Sequence, residues 1–229
     1  MTAERTVVVT GAEGDIGRAL CGRLLDAGYR VEGIDRSART GAAHRVTVAD
    51  LTDPATVDAT FAQFGERCGP LYGLVNCAGI YEALDATATT LDDFDRVWKG
   101  NVITAWLASM AFERHSADDG CIVNVASISG QYGSHDVAYG TAKAGVLGLT
   151  LSLALHLGPR LRVNAVAPGV VRGSMAGRIP DERLVKYRDR SILGRLGTPL
   201  EVAHAIESLL APGASWITGS VLNINGGSA

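Results

Sequence analysis

Short apolar runs of strand length alternate with longer stretches of helical spacing along almost the whole chain. The runs at residues 6–10, 29–34, 44–48, 71–75, 121–125, 161–166 and 216–224 are rich in valine, isoleucine and leucine, and they predict seven strands. Between them, apolar residues recurring every three or four positions predict helices over 18–27, 54–67, 90–115, 138–157 and 199–210. Local signals sharpen several ends. Gly28 follows the first helix as a C-cap, Asp53 and Pro54 open the second, and Thr90 with Asp93 reads as a capping box. Thr198, Pro199 and Glu201 repeat that signal before the last helix. Too few residues separate Arg36 from the strand at 44–48 for a helix, so a loop is expected there.

A chain of 229 residues can bury one substantial core, and strands alternating with helices suit a single α/β domain. With 47% hydrophobic and 20% charged residues, it has the profile of an ordered soluble protein. The net charge of −3 and the scattered basic residues leave no stripe for nucleic acid or anionic lipid, and neither is expected as a partner. No signal peptide is evident before the first strand and no apolar run approaches membrane-spanning length, so a cytoplasmic location is expected. Cys21, Cys68, Cys77 and Cys121 are widely spaced and lack histidine company, which predicts reduced, packed thiols and no metal site.

Chemistry concentrates where strands end. Gly11, Ala12, Glu13, Gly14, Asp15, Ile16 and Gly17 lie between the first strand and the first helix. Glycines there let a backbone approach a pyrophosphate, and the helix N-terminus offers free N–H groups and a positive dipole end. Asp35 ends the second strand at the distance where a carboxylate receives the ribose hydroxyls of NAD. A 2′-phosphate beside it would cost roughly 1 to 4 kcal/mol in a partly solvated site, and Glu13 adds to that repulsion. Arg36 and Arg39 argue the other way, since either could hold the 2′-phosphate of NADP. Asp50, next to Leu51, could accept from an adenine amino group or cap the following helix. Asn76, Cys77, Ala78 and Gly79 end the fourth strand with small residues that admit a cofactor, and the Asn76 amide is expected to fix the turn.

Tyr139 and Lys143 stand one helical turn apart, so a cation can lie beside a phenol and lower its pKa toward a useful acid/base value. Ser127, at the end of the fifth strand, could converge with Tyr139 on one substrate oxygen, with Ser129 and Ser134 as substitutes. Asn101 sits inside the apolar face of the long helix, where it would satisfy a break in the helix bonds or support a water chain. Tyr81, His135, Asp136, Val170 and residues 173–190 are expected to shape a substrate pocket, with 170–196 as a cover over it.

Taken in order, the glycine turn, Asp50, the Asn-Cys-Ala-Gly segment at 76–79, Asn101, Ser127, Tyr139 with Lys143, Pro168 with Gly169, and Asn225-Gly226-Gly227 resemble the short-chain dehydrogenase/reductase family. The resemblance covers nearly the whole chain. It implies a Rossmann-like, doubly wound parallel sheet in the order 3-2-1-4-5-6-7 with helices on both faces, and often a homotetramer. It also implies Tyr139 as acid/base, Ser127 holding the carbonyl or hydroxyl oxygen, Lys143 on the nicotinamide ribose, Asn101 anchoring a relay water, and Pro168, Gly169 and Val171 beside the cofactor. The implied activity is hydride transfer between NAD, or less readily NADP, and a secondary alcohol, a cyclic alcohol or dihydrodiol included, or its ketone. A 3-oxoacyl reductase, an epimerase or dehydratase, and a non-catalytic dinucleotide-binding regulator are the alternatives. Two departures stand out. Asp15 takes the place of the second glycine of the usual turn, leaving a spacing through Gly14 found in the extended branch, although the short chain fits the classical branch better. Gly173 takes the place of a threonine that commonly holds the nicotinamide carboxamide, a role Ser174 is the candidate to fill.

Overall fold

A computed structural model describes residues 5–38 and 44–228. Arg39, weighed above for a 2′-phosphate, lies outside the described residues. The chain runs β1 (Thr6–Thr10), α1 (Asp15–Asp26), β2 (Arg30–Asp35), β3 (Arg45–Val48), α2 (Pro54–Cys68), β4 (Leu71–Asn76), α3 (Leu91–Trp98), a π-helical turn (Lys99–Ile103) and α4 (Thr104–His115). There follow β5 (Ser116–Val125), α5 (Ser129–Tyr132), α6 (Val137–Leu157), β6 (Arg162–Pro168), α7 (Asp181–Arg190), α8 (Pro199–Leu210) and β7 (Val221–Ile224).

The strands form one parallel sheet in the order β3-β2-β1-β4-β5-β6-β7, the Rossmann-like order that the family resemblance implies. Its burial follows the period of two. Val7 and Val9 face a cluster with Leu20, Leu24, Val202 and Ile206 from α1 and α8. Val8, between them, joins Leu74 and Ile122 against Phe61, Phe64, Phe112 and Leu153 from α2, α4 and α6. Both faces are therefore covered, and the central strands read as continuous apolar runs.

Five expectations need correction. β5 begins at Ser116, five residues before the predicted start at 121. The predicted helix 90–115 runs from Leu91 to His115 but holds one π-helical turn, where Asn101, in one of its two expected roles, turns its side-chain amide inward and donates to the carbonyls of Val97 at 2.9 Å and Ile80 at 3.0 Å. The last strand begins at Val221 rather than 216. Asn164 clamps the preceding turn by donating to Ile217 O at 2.8 Å and accepting from Ser220 N–H at 3.0 Å, and Trp216 is left 98% exposed. Helix α1 starts at Asp15, three residues early, with Gly14 as its extended N-cap. Finally, α6 is long and apolar enough to cross a membrane by length and composition. It packs on α3, α5 and β6 and buries Lys143 in its first half.

Candidate active site

A cavity of about 1370 Å³ opens along the carboxyl ends of the strands, where parallel sheets of this kind place their ligands. Its first wall is the glycine turn. Gly11 has a φ of +66°, and a Cβ there would come within 2.8 Å of the Ala78 backbone. A Cβ at Gly17 would lie 2.1 Å from Gly11 O, so α1 reaches this close only because position 17 has no side chain. Thr10 fastens the neighbouring loop: its hydroxyl accepts from the N–H groups of Cys77 and Ala78, both at 3.1 Å. Sequence reasoning passed over Thr10, although a hydroxyl at a strand end beside a glycine turn is a recognisable signal.

Asp35 lines the cavity at the tip of β2, with Oδ2 accepting from Glu13 N–H at 3.0 Å and Oδ1 from Arg36 N–H at 2.7 Å. Glu13 itself is buried and does not line the cavity, and its part there is the backbone N–H that holds Asp35. Arg36 does line it, close enough to Asp50 to help lower that carboxyl's pKa. The main cause of that lowering is Thr52, whose N–H and hydroxyl donate to Asp50 Oδ1 at 2.9 and 2.8 Å. Asp50 and Leu51 both line the cavity, and the cap of α2 is Asp53.

Asn76 differs from its expected place. It is buried behind the strand tip, where its amide donates to Asn124 Oδ1 at 2.8 Å and Ser109 Oγ at 3.0 Å, tying β4 to β5 and α4. The cavity wall at this point is Cys77, Ala78 and Gly79. Burial pushes the Cys77 thiol up to about 12, which leaves it protonated and inert.

The second wall carries the candidate proton-transfer groups. Asp136 caps α6 by accepting from Tyr139 N–H at 2.9 Å, and its other oxygen accepts from Leu84 N–H at 3.1 Å. This cap, rather than the pocket lining expected of it, is Asp136's part, and an aspartate three residues before a helical tyrosine was a readable sign of it. The phenol of Tyr139 lies within hydrogen-bonding reach of the Ser127 hydroxyl. Tyr81 packs edge-on against the Tyr139 ring at a centroid distance of 5.0 Å.

Lys143 is buried with Nζ 5.7 Å from the centroid of the Tyr139 ring, and it donates to Val125 O at 2.9 Å. Burial pushes the ammonium down to about 8. The phenol, expected to be lowered by this neighbour, is instead pushed up to about 12. Desolvation of the phenol is the largest cause, and the Ser127 hydroxyl offsets it only in part. Asn101 Oδ1 is buried without a partner among the described residues. It faces Gly79, where a Cβ would meet it at 2.6 Å and Lys143 Nζ at 3.3 Å. A buried amide oxygen so placed is suited to hold water.

The third wall is the cover. Val171 bridges to Gly197 in parallel fashion, and Ser174 bonds to Asp15. At the far end, Ser191 Oγ and Leu193 N–H donate to Gly226 O at 3.1 and 3.2 Å, so the C-terminal Asn-Gly-Gly turn anchors it. Pro168, Gly169 and Val170 connect β6 to this wall, and all three line the cavity. Among the described residues, no group of three His, Cys, Asp or Glu could hold a metal ion.

The sequence profile of the family described as enoyl-(acyl carrier protein) reductase matches residues 11–229. The chain is 37% identical, over 97% of its length, to an uncharacterised short-chain type dehydrogenase/reductase of Sinorhizobium fredii, of which it spans only 43%. It is 32% identical to the 3-oxoacyl-[acyl-carrier-protein] reductase of Vibrio harveyi, covering 97% of this chain and 96% of that one. Among solved structures, ligand-free aldohexose dehydrogenase of Thermoplasma acidophilum superposes with a TM-score of 0.92 at 30% identity, over 98% of this chain and 93% of that one. The 3-ketoacyl-(acyl-carrier-protein) reductase of Brucella melitensis complexed with NADH gives 0.90 at 27%, over 99% of each chain. With this sheet, these strand-end groups and this extent of similarity, the chain belongs to the short-chain dehydrogenase/reductase family, oxidoreductases that act on CH–OH or ketone groups with a nicotinamide cofactor.

Proposed function

We propose that this chain is an NAD-preferring oxidoreductase that interconverts a secondary alcohol, including a cyclic one, and its ketone. One observation carries the reading: Tyr139, Ser127 and Lys143 share a cavity with the glycine turn and Asp35. The left-handed Gly11, the bare Gly17 and the unpartnered Asn101 oxygen fit a dinucleotide with its nicotinamide end toward Tyr139. When bound, the cofactor supplies the hydride acceptor or donor.

The chain's own groups do the rest. Ser127 donates to the substrate oxygen and fixes it beside the phenol. Tyr139 delivers a proton to that oxygen in the reducing direction and removes it in the oxidising one. Lys143 is in reach of the phenol's ring and, with its ammonium charged, favours the phenolate form as it develops. Asn101 Oδ1 and the Lys143 ammonium would hold the water through which the tyrosine's proton is replaced. The glycine turn, Asp35, Asp50, Leu51, Ala78, Gly79, Pro168, Gly169 and Val171 form the remaining contacts.

Asp35 supports NAD, because a carboxylate at the tip of β2 meets ribose hydroxyls well and a 2′-phosphate badly. The NADH complex of a structural neighbour agrees with that choice. Reduction of a 3-oxoacyl group is the second reading, favoured by the Vibrio harveyi relative. The exposed Leu155, at 87%, and Trp216 lie outside the cavity and support a homo-oligomer, a dimer or tetramer.

The test is turnover of NAD against a panel of secondary and cyclic alcohols, and of NADH against 3-oxoacyl thioesters, for the wild type and Tyr139→Phe. The phenylalanine variant is expected to lose on the order of 10² to 10⁴ in turnover while binding NADH as before. Equal turnover in both would refute Tyr139 as acid/base. Intact NADH binding without turnover of any panel member would favour a dinucleotide-binding regulator.

A further inference from the structure

The two departures from the family pattern meet in space. Asp15, the first residue of α1, accepts through Oδ2 from Ser174 N–H at 2.6 Å and Ser174 Oγ at 2.7 Å. Through Oδ1 it accepts from Arg18 at 3.0 Å. Gly173 stands directly against the same carboxylate. Its φ is +148°, and a Cβ there would lie 2.4 Å from Asp15 Oδ2 and 2.8 Å from Asp15 Cγ. A threonine at 173 would therefore push the Asp15 carboxylate out of its present place, and a glycine at 15 would leave the Ser174 donors without this acceptor. The two positions are in direct contact.

The position gives the contact a consequence. Asp15 belongs to the floor of the cavity and Ser174 to the start of the cover, 159 residues away in sequence. The bonds are charge-assisted and at the short end of the usual range, the strong kind of hydrogen bond. Both donors of Ser174 point at one carboxylate oxygen, so neither is aimed at a cofactor amide.

We propose that Asp15, Gly173 and Ser174 form a clasp that fastens the start of the cover to the glycine turn before any ligand binds, with Asp15 as the positioning residue for the cover. In this chain a protein carboxylate holds down a segment that the family threonine would tie to the cofactor. The clasp belongs to the ligand-free protein and does not rest on the choice of substrate or cofactor. Its failure is thus separate from failure of the oxidoreductase reading.

Hydrogen exchange on the ligand-free protein is the test. Asp15→Ala is expected to speed exchange of the Ser174 amide at least tenfold, with the β1, β4 and β6 amides unchanged. Ser174→Ala, which keeps the N–H bond, should have a smaller effect on the amides of 175–178. Unchanged exchange at 174 in Asp15→Ala would overturn the proposal. The steric half is tested by a cycle of Gly173→Thr, Asp15→Gly and the double variant, read by exchange over 172–178 and by NADH KM against kcat. The backbone strain of threonine at 173 is present in both backgrounds and cancels. Gly173→Thr should loosen the segment and raise KM several-fold more with Asp15 present than in the Asp15→Gly background. Equal effects in the two backgrounds would mean that the two positions are not coupled, and the clasp would be refuted.

Discussion

The wall built from the strand ends and the wall built from the cover contrast at every level. In the first, backbone and side chains are over-determined: Thr10 is bonded to two amides, Asp136 to two, Asn76 to two side chains, and Lys143 is buried against Val125 O. In the second, α7 buries none of its residues, and the cover on either side of it is held by a one-residue β-bridge, the Asp15 contact, the Gly226 carbonyl and the Arg195–Glu201 pair. Chemistry needs groups placed to a fraction of an ångström, and a packed parallel sheet supplies that. Substrate choice needs surface that can vary without unfolding the sheet, and the cover supplies that.

The largest effect expected from breaking the first wall, after Tyr139→Phe, comes from Lys143→Met. Turnover should fall on the order of 10² or more, while the ligand-free protein becomes more stable at neutral pH. Burial puts the folded pKa at about 8 against about 10.5 unfolded. Below pH 8 both states hold the proton, and the folded state bears the whole cost of a buried charge, on the order of 3 kcal/mol. Between pH 8 and 10.5 the unfolded chain binds more protons, so wild-type stability rises with pH and the methionine's advantage shrinks. Urea melts of both proteins at pH 7 and pH 10 check the sign, and an advantage that grew with pH would contradict it.

Asn101→Ala comes next, because it strands two carbonyls at the π-helical turn. Each net bond is worth about 1 kcal/mol, so a stability loss of roughly 1 to 3 kcal/mol is expected, with a smaller drop in turnover than at Tyr139. Denaturation midpoints and kcat on the same preparations would sharpen the distinction between holding a wall and doing its chemistry. Asp35→Ser should shift the ratio of NADH to NADPH affinity about tenfold toward NADPH, since removing one carboxylate is worth roughly 1.4 kcal/mol or more there. On the cover, Arg188→Ala breaks an exposed pair with Asp189 and should move stability by less than about 0.5 kcal/mol. A larger loss would erase the contrast between the walls.

The same contrast explains what could be read from the sequence. The strand tips were legible because each uses residues whose chemistry is local: glycines for close approach, Asp35 after a strand, Tyr139 and Lys143 one turn apart. The seven strands followed from apolar runs, and their parallel arrangement and order from the family resemblance. What escaped depended on partners far along the chain. The amide of Asn76 reaches Asn124 instead of its own turn, and Asn164 ends the last strand's turn from two elements away. The rise of the Tyr139 pKa is a property of burial, which no spacing of two residues reveals. The meeting of Asp15 with Gly173 likewise becomes visible only when opposite ends of the chain are brought together.

The central claim is that this cavity takes a nicotinamide dinucleotide with Asp35 at its ribose. A fluorescence titration of the purified protein with NADH and with NADPH tests it most directly. The account predicts saturable binding of both with NADH the tighter by about tenfold, matching the repulsion expected of one carboxylate. Tighter NADPH would transfer the ribose site to Arg36, and binding of neither would contradict the account at its root.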